Sequence, residues 1–317
     1  MPIDKSEWIW MSGRWVKWAD ATVHVTAHAL HYGSSAFEGI RAYEGEDGPG
    51  IFRLDRHLER LLDSCKLLRF DMGAWDFDTL SQVTVELVAR NRHKSCYIRP
   101  IAFRGSETMG VYPLTCPVEI AIFSFPWGRY LGPEAIEQGV DVAVSSWRRY
   151  APSTTAPLGK IGGQYVTNQF VSVEARQNGF AEGIMLDSFG YVSEGGGENL
   201  FLVRRGEITT TPLSSSILEG VTRDSVISLA RDLGYTVRFE NVTREMLYLC
   251  DELFMTGTAA EVTPVRSVDR IQVGTGKRGP ITKRLQEEFF GIVEGNLPDR
   301  HDWLTRVPRL APVGVER

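Results

Sequence analysis

Apolar residues recur along this chain with two periods, and the switches between them outline its elements. Trp8, Ile9 and Trp10 lead to Ser12-Gly13, and Trp15, Val16 and Trp18 follow, which predicts an opening β-hairpin. Val23 and Val25 continue the β character. From Phe52 to Leu68 the period lengthens. Leu54, Leu58, Leu61, Leu62, Cys65 and Leu68 stand three or four apart, the stripe of an amphipathic helix. A second helix is expected from Leu80 to Ala89, then strands over Tyr97–Phe103 and Val118–Phe123. Further on, Val140–Val144 predicts a strand, and Tyr165–Gln177 a helix stopped by Asn178-Gly179. Strands at Ile184–Leu186 and Leu200–Val203 flank a glycine loop. Val221–Asp232 follows as a helix with Val226, Leu229, Ala230 and Leu233 on one side. A short strand over Leu253–Met255, a helix over Ile281–Val293 and a loose tail over Arg306–Arg317 complete the pattern.

One stretch fits neither period. Phe125-Pro126-Trp127-Gly128-Arg129-Tyr130-Leu131-Gly132-Pro133 is rich in turn formers. It predicts a linker at 126–137 between a small N-terminal α/β domain at 1–125 and a large C-terminal domain at 138–317. The length of 317 residues agrees with two domains at about 150 residues each.

Composition narrows the function classes. The hydrophobic fraction is 43% and the charged fraction 24%, an ordinary globular balance. A net charge of -5 argues against broad attraction to nucleic acid or an anionic membrane. The four cysteines form no CxxC pair, so they are expected to be reduced thiols in or near the core of a cytoplasmic protein. The first residues lack an apolar signal core, and no run approaches the ~18 apolar residues of a membrane helix.

Several clusters carry candidate chemistry. His24, His28 and His31 would share a face on a helix and could bind zinc, but the β-branched run around His24 weakens that premise, and no metal is expected. Gly274-Thr275-Gly276-Lys277-Arg278-Gly279 lacks the first glycine and the hydroxyl of a phosphate loop and reads as a surface turn. Lys160 stands in Pro157-Leu158-Gly159-Lys160-Ile161-Gly162-Gly163. Small neighbours there let a ligand approach the backbone, and an amine in such a tight site can act as a nucleophile. In Ser193-Glu194-Gly195-Gly196-Gly197-Glu198-Asn199 the bland reading is a hairpin turn, and the functional one is a carboxylate held against a cationic ring. Glu219-Gly220-Val221-Thr222 opens a helix, and Gly257-Thr258-Ala259 follows a strand. Both are candidate anion nests, and Arg60 is a candidate counter-charge.

Taken together, the chain resembles the fold-type-IV pyridoxal-phosphate enzymes and, among them, the branched-chain amino acid aminotransferases. The resemblance runs through HALHYGSSAFEGIRAY at 28–43, HLERLLDSCKL at 57–67, SCYIRPIAF at 95–103, GKIGGQY at 159–165, EGGGENLF at 194–201, LEGVTRD at 218–224 and GTAAEVTPVRSVD at 257–269. It implies a mixed α+β and α/β fold, with a small α/β sandwich domain and a larger pseudo-barrel domain. It also implies pyridoxal 5′-phosphate as cofactor, leucine, isoleucine, valine and 2-oxoglutarate as substrates, and a homodimer or homohexamer with no nucleic-acid or membrane partner.

Residue by residue, the resemblance makes Lys160 the Schiff-base lysine and Glu194 the carboxylate on the pyridine nitrogen. Tyr165 answers to the tyrosine on the ring hydroxyl. Arg60, Gly220, Val221, Thr222 and Thr258 answer to the phosphate cup. Tyr97 with the Thr258-Ala259 amides would take the α-carboxylate, and Arg99 the distal carboxylate of glutamate. Phe37, Trp127, Tyr130 and Tyr165 would line the side-chain pocket, while Tyr32, Met109 and Val111 would reach across a dimer interface. Within the same fold, D-amino acid aminotransferases, R-selective amine transaminases and aminodeoxychorismate lyases share the lysine and glutamate. The Tyr97-Ile98-Arg99 triplet and Gly257-Thr258-Ala259-Ala260 favour the branched-chain enzymes.

Overall fold

The computed structural model describes residues 3–127 and 134–308. Of these, the residues up to Trp127, Lys160–Gly163 and those from Ile292 on form one compact unit, and the remainder form a second.

The first unit is built on an antiparallel sheet. Its strands are β1 (Trp8–Met11), β2 (Arg14–Lys17), β3 (Ser35–Phe37), β4 (Ile40–Tyr43), β5 (Gly50–Phe52), β6 (Cys96–Arg104) and β7 (Val118–Phe125). The β1–β2 hairpin pairs Met11 with Arg14 across Ser12 (φ 44°) and Gly13 (φ 89°), so both turn residues adopt the left-handed backbone a tight hairpin needs. Helices α1 (His28–Tyr32), α2 (Leu54–Leu67) and α3 (Phe77–Arg90) complete the unit. Asp76 starts α3 by accepting the Thr79 N–H at 2.9 Å. Strand alternation divides β6. Cys96, Ile98 and Ala102 join the core with Leu58 and Leu61 of α2, while Tyr97 and Arg99 lie on the opposite face.

Two expectations are corrected here. Val23 and Val25 belong to no strand and are exposed, because no neighbouring strand pairs with them and β propensity alone does not make one. The tail is not loose from Arg306. Leu304–Arg306 pairs antiparallel with β5, and the Val307 N–H donates to Pro49 O at 2.9 Å. Residues 309–317 of the expected tail, and 128–133 of the expected linker, lie outside the described residues.

The second unit carries a mixed sheet of β8 (Val140–Arg148), β9 (Glu182–Leu186), β10 (Val192–Gly195), β11 (Asn199–Arg204), β12 (Glu207–Thr210), β13 (Val237–Phe239), β14 (Glu252–Gly257), β15 (Glu261–Val268) and β16 (Ile271–Gln272). Their main order is β10-β9-β8-β15-β14-β11-β12-β13, with β16 on β15. β8 runs parallel to both neighbours, β9 and β15. Helices α4 (Ala135–Gln138), α5 (Tyr165–Gln177), α6 (Val221–Asp232), α7 (Met246–Leu249) and α8 (Pro280–Val293) follow in chain order. The Gly274–Gly279 stretch is a turn, as its composition predicts.

All four cysteines are buried and free. Burial pushes the thiols of Cys65 and Cys250 up to about 12 and that of Cys96 higher still. Native protein at pH 8 should therefore leave these three unlabelled by a maleimide, and unfolding should expose all four. Fast labelling of Cys65 or Cys96 in the folded state would contradict the buried placement.

Candidate active site

Lys160 belongs to the first unit, where its segment lies along β3. The Phe37 N–H donates to Lys160 O at 3.0 Å, Ile161 bridges to Ala36, and the Lys160 N–H donates to Ser64 Oγ at 3.0 Å. Two glycines make this contact possible. A Cβ on Gly33 (φ +65°) would stand 2.6 Å from Gly163 Cα, and one on Gly162 would strike Ser35 Oγ. The half-buried Lys160 amine is set 5.0 Å over the Phe37 ring.

The Arg99 guanidinium covers the same ring at 4.6 Å and donates from Nη2 to Tyr97 Oη at 2.8 Å. Its buried Nε has no hydrogen-bond partner among the described residues. Tyr97 stacks obliquely with Phe125 at 5.5 Å and Trp127 at 5.2 Å. Phe37, Tyr97, Arg99, Trp127 and Lys160 thus form one aromatic and cationic surface. Tyr130 lies outside the described residues.

Beside it, Arg60 on α2 grips Glu38 with Nε at 2.7 Å and Nη2 at 2.8 Å. His57, one turn earlier, donates from Nδ1 to Glu38 Oε2 at 2.7 Å. Burial alone would raise the Glu38 carboxyl. The Arg60 charge and the hydrogen bonds from Arg60 and His57 outweigh it and hold Glu38 far below the usual carboxylate range. Burial, helped by the charges of Arg60 and Lys160, lowers His57 despite its bond to Glu38.

Tyr32, Met109 and Val111 form a separate group and are 46%, 56% and 85% exposed in the single chain. His28 joins them. Its ring lies 4.4 Å from that of Tyr32, Nε2 bonds Gly110 O at 2.9 Å, and Nδ1 bonds Ser34 Oγ at 2.7 Å. His31 bonds Val25 O and His24 bonds Thr26, so the three imidazoles turn to different partners. Among the described residues no group of three or more His, Cys, Asp or Glu is arranged to hold a metal.

In the second unit the 194–199 loop is the hub. Glu194, on β10, accepts from Arg149 Nη2 at 2.8 Å, the Leu218 N–H at 2.9 Å and Asn199 Nδ2 at 3.1 Å. Arg149 is itself fixed by donating from Nε to Ser216 O at 3.0 Å. Asn168, three residues into α5 from Tyr165, donates to Gly196 O at 2.6 Å. A Cβ on Gly257 would meet Gly197 O at 3.0 Å, so the glycine ahead of Thr258 lets β14 close on the loop. Thr258, Ala259 and Ala260 form the turn between β14 and β15.

Gly220 starts α6 without any side-chain cap, and Val221 and Thr222 are buried in its first turn. A Cβ on Gly220 would strike Asn199 Oδ1. An uncapped helix N-terminus offers backbone N–H groups and a positive dipole to an anion. Within this second unit, the helix start suits an anion and the firmly held Glu194 carboxylate suits a cationic partner.

Sequence reasoning missed Glu38, His57, Ser64, Arg149 and Asn199. One signal was available: His57 interrupts the apolar face of α2, beside Leu54, Leu58 and Leu61, where a polar side chain needs a buried partner.

Comparisons with known proteins agree with this chemistry. The profile of the Amino-transferase class IV family matches residues 35–268. The branched-chain-amino-acid aminotransferase of Escherichia coli (strain K12) is 50% identical over 308 residues, covering 97% of this chain and 99% of the relative. A crystal structure of an Escherichia coli branched-chain amino acid aminotransferase superposes with a TM-score of 0.93 at 51% identity, over 96% of this chain and 100% of that one. A second branched-chain amino acid aminotransferase, from the organism abbreviated T.th., is complexed with N-(5′-phosphopyridoxyl)-L-glutamate. It gives a TM-score of 0.91 at 44% identity, over 96% of this chain and 99% of that one. With likeness of that extent in sequence and in fold, the chain belongs to the class IV amino-transferases and, among them, to the branched-chain-amino-acid aminotransferases.

Proposed function

We propose that this chain transfers the α-amino group of leucine, isoleucine or valine to 2-oxoglutarate with pyridoxal 5′-phosphate. The observation that carries the reading is the 50% identity over nearly the whole length of a branched-chain enzyme. A similar protein holds N-(5′-phosphopyridoxyl)-L-glutamate, a cofactor–amino acid adduct.

When bound, the cofactor supplies an aldehyde for the amine and an electron-withdrawing ring that acidifies the substrate Cα–H. Lys160 Nζ takes the Cα proton and returns it at C4′ of the cofactor. Glu194 keeps the proton on the ring nitrogen, because adjacent opposite charges favour each other's ionised forms. Tyr165 meets the ring hydroxyl. Arg60, Thr258 and the start of α6 at Gly220, Val221 and Thr222 hold the phosphate. Tyr97 and the Thr258-Ala259 amides hold the α-carboxylate. Phe37, Trp127, Tyr130 and Tyr165 accept the aliphatic side chain.

The two half-reactions share these groups in turn, which predicts ping-pong kinetics. The chain acts as a homo-oligomer, with Tyr32, Met109 and Val111 lent to a second copy. A cytoplasmic location fits the absence, among the described residues, of a helix long and apolar enough to cross a membrane.

Arg99 provides the test that separates the substrates. Glutamate brings a second carboxylate, which is costly to desolvate without a partner. The Arg99 fork lies over Phe37 with its Nε unpartnered among the described residues, and an incoming carboxylate would satisfy that donor. Arg99→Leu should slow the glutamate half-reaction more than the leucine one by roughly 2–5 kcal/mol, the scale for truncating one partner of a desolvated charge pair. The cofactor spectrum follows each half-reaction separately. Equal losses with both donors would make Arg99 structural. No transfer from leucine, isoleucine or valine to 2-oxoglutarate would overturn the function itself.

A further inference from the structure

We infer that Glu38 is a positioning residue that aims Arg60 at the cofactor phosphate, a role that presupposes the phosphate contact proposed for Arg60. Glu38 lies in the two-residue link between β3 and β4 and is completely buried. A buried carboxylate costs several kcal/mol to desolvate unless it is fully paired, so its position calls for a cause.

The pairing is close to complete. Oε1 accepts Arg60 Nε, and Oε2 accepts Arg60 Nη2 and His57 Nδ1. The Gly39 N–H adds a longer bond to Oε2 at 3.3 Å. A two-point grip on a planar guanidinium fixes its plane as well as its place. It occupies the Nε–Nη2 edge and so sets the direction of the opposite Nη1 edge. An arginine held this way loses less rotamer freedom when an anion arrives.

His57 supports the grip. Its Nδ1–H is directed at Glu38, and its depressed basicity keeps the ring neutral near pH 7. A neutral ring leaves the full carboxylate charge for Arg60. Ser64, one turn on from Arg60, donates to Arg60 O at 2.8 Å and accepts the Lys160 N–H. The backbones of Arg60 and Lys160 are therefore tied to one hydroxyl on α2. Glu38 then fixes the remaining freedom, which lies in the Arg60 side chain. It touches no reacting atom in this scheme and acts only through the guanidinium.

Binding of two ligands to cofactor-free protein tests the idea: pyridoxal 5′-phosphate, and pyridoxal, which lacks the phosphate. E38Q keeps the shape but turns an amide toward the fork. It should bind pyridoxal 5′-phosphate about 10- to 100-fold more weakly, the scale of hydrogen bonds to a charged group, with pyridoxal affinity unchanged. R60Q should show the same selective loss. E38D keeps the charge and withdraws it by one methylene. It should show a smaller loss of the same selectivity, and it carries the test if E38Q does not fold.

A loss in R60Q with none in E38Q or E38D would overturn the role of Glu38 alone. Equal losses for both ligands would make Glu38 a purely structural residue and also overturn it. If R60Q binds pyridoxal 5′-phosphate as tightly as the parent, the phosphate contact of Arg60 fails, and the role of Glu38 fails with it.

Discussion

Lys160→Ala should leave a folded protein that has lost transamination. The backbone bonds that place this segment, from Phe37 N–H to Lys160 O and from Lys160 N–H to Ser64 Oγ, survive the substitution, so the melting temperature should change little. What disappears is the amine over the Phe37 ring. If Lys160 serves as proposed, loss of a positioned general base costs ~10²–10⁴ in rate, and loss of the covalent tether to the cofactor would add to it. Borohydride treatment of the parent should fix the cofactor to the peptide carrying Lys160, and the variant should release it on dialysis. A small external amine should restore part of the half-reaction in the variant. A reduced adduct on any other lysine would end the assignment.

The second large effect is expected at Glu194. Its two oxygens meet donors on both sides, Arg149 at Oε1 and Asn199 with the Leu218 N–H at Oε2. Glu194→Gln must turn an amide N–H₂ toward one of those donors, whichever way it rotates. It also leaves the buried Arg149 without its counter-charge. Breaking a buried pair in this way destabilises by about 3–5 kcal/mol, which urea unfolding will register. The catalytic effect is separate. In the proposed mechanism the ring proton would lose its partner, and turnover should fall on the order of 10² or more, as for removal of one preorganised electrostatic group. A single-turnover rate equal to the parent's would remove Glu194 from the chemistry whatever its stability cost.

Much of this arrangement is legible in the sequence, for identifiable reasons. Helices α2 and α5 each bury one stripe, so the 3.6 period shows through, and the predicted ends of α2, α5, α6 and α8 fall within a few residues of the observed ones. The strands β3, β4 and β5 are three or four residues long and almost wholly buried, which leaves no alternation to read. β15 carries Pro264, which argues against a central strand. It is tolerated because pairing with β8 begins only at Val265.

The site divides the same way. Lys160, Glu194 and the opening of α6 are visible because glycines beside them mark places where backbone must come close. Glu38, His57 and Arg149 are not, because a buried charge is recognised by its partner. These partners lie 22, 19 and 45 positions away, the last being Glu194 minus Arg149.

The pairing of Leu304–Arg306 with β5 has a consequence for synthesis on the ribosome. β5 is in place early, but its outer edge waits for Leu304 to pair with Phe52, and for Trp303 to pack against the same ring at 5.8 Å. Closing so long a loop is slow, and until it closes the nascent chain carries an open strand edge. Until then that edge is open to pairing with any other exposed strand. Emergence of Leu304–Arg306, rather than of the first half of the chain, is the event that lets that sheet complete itself.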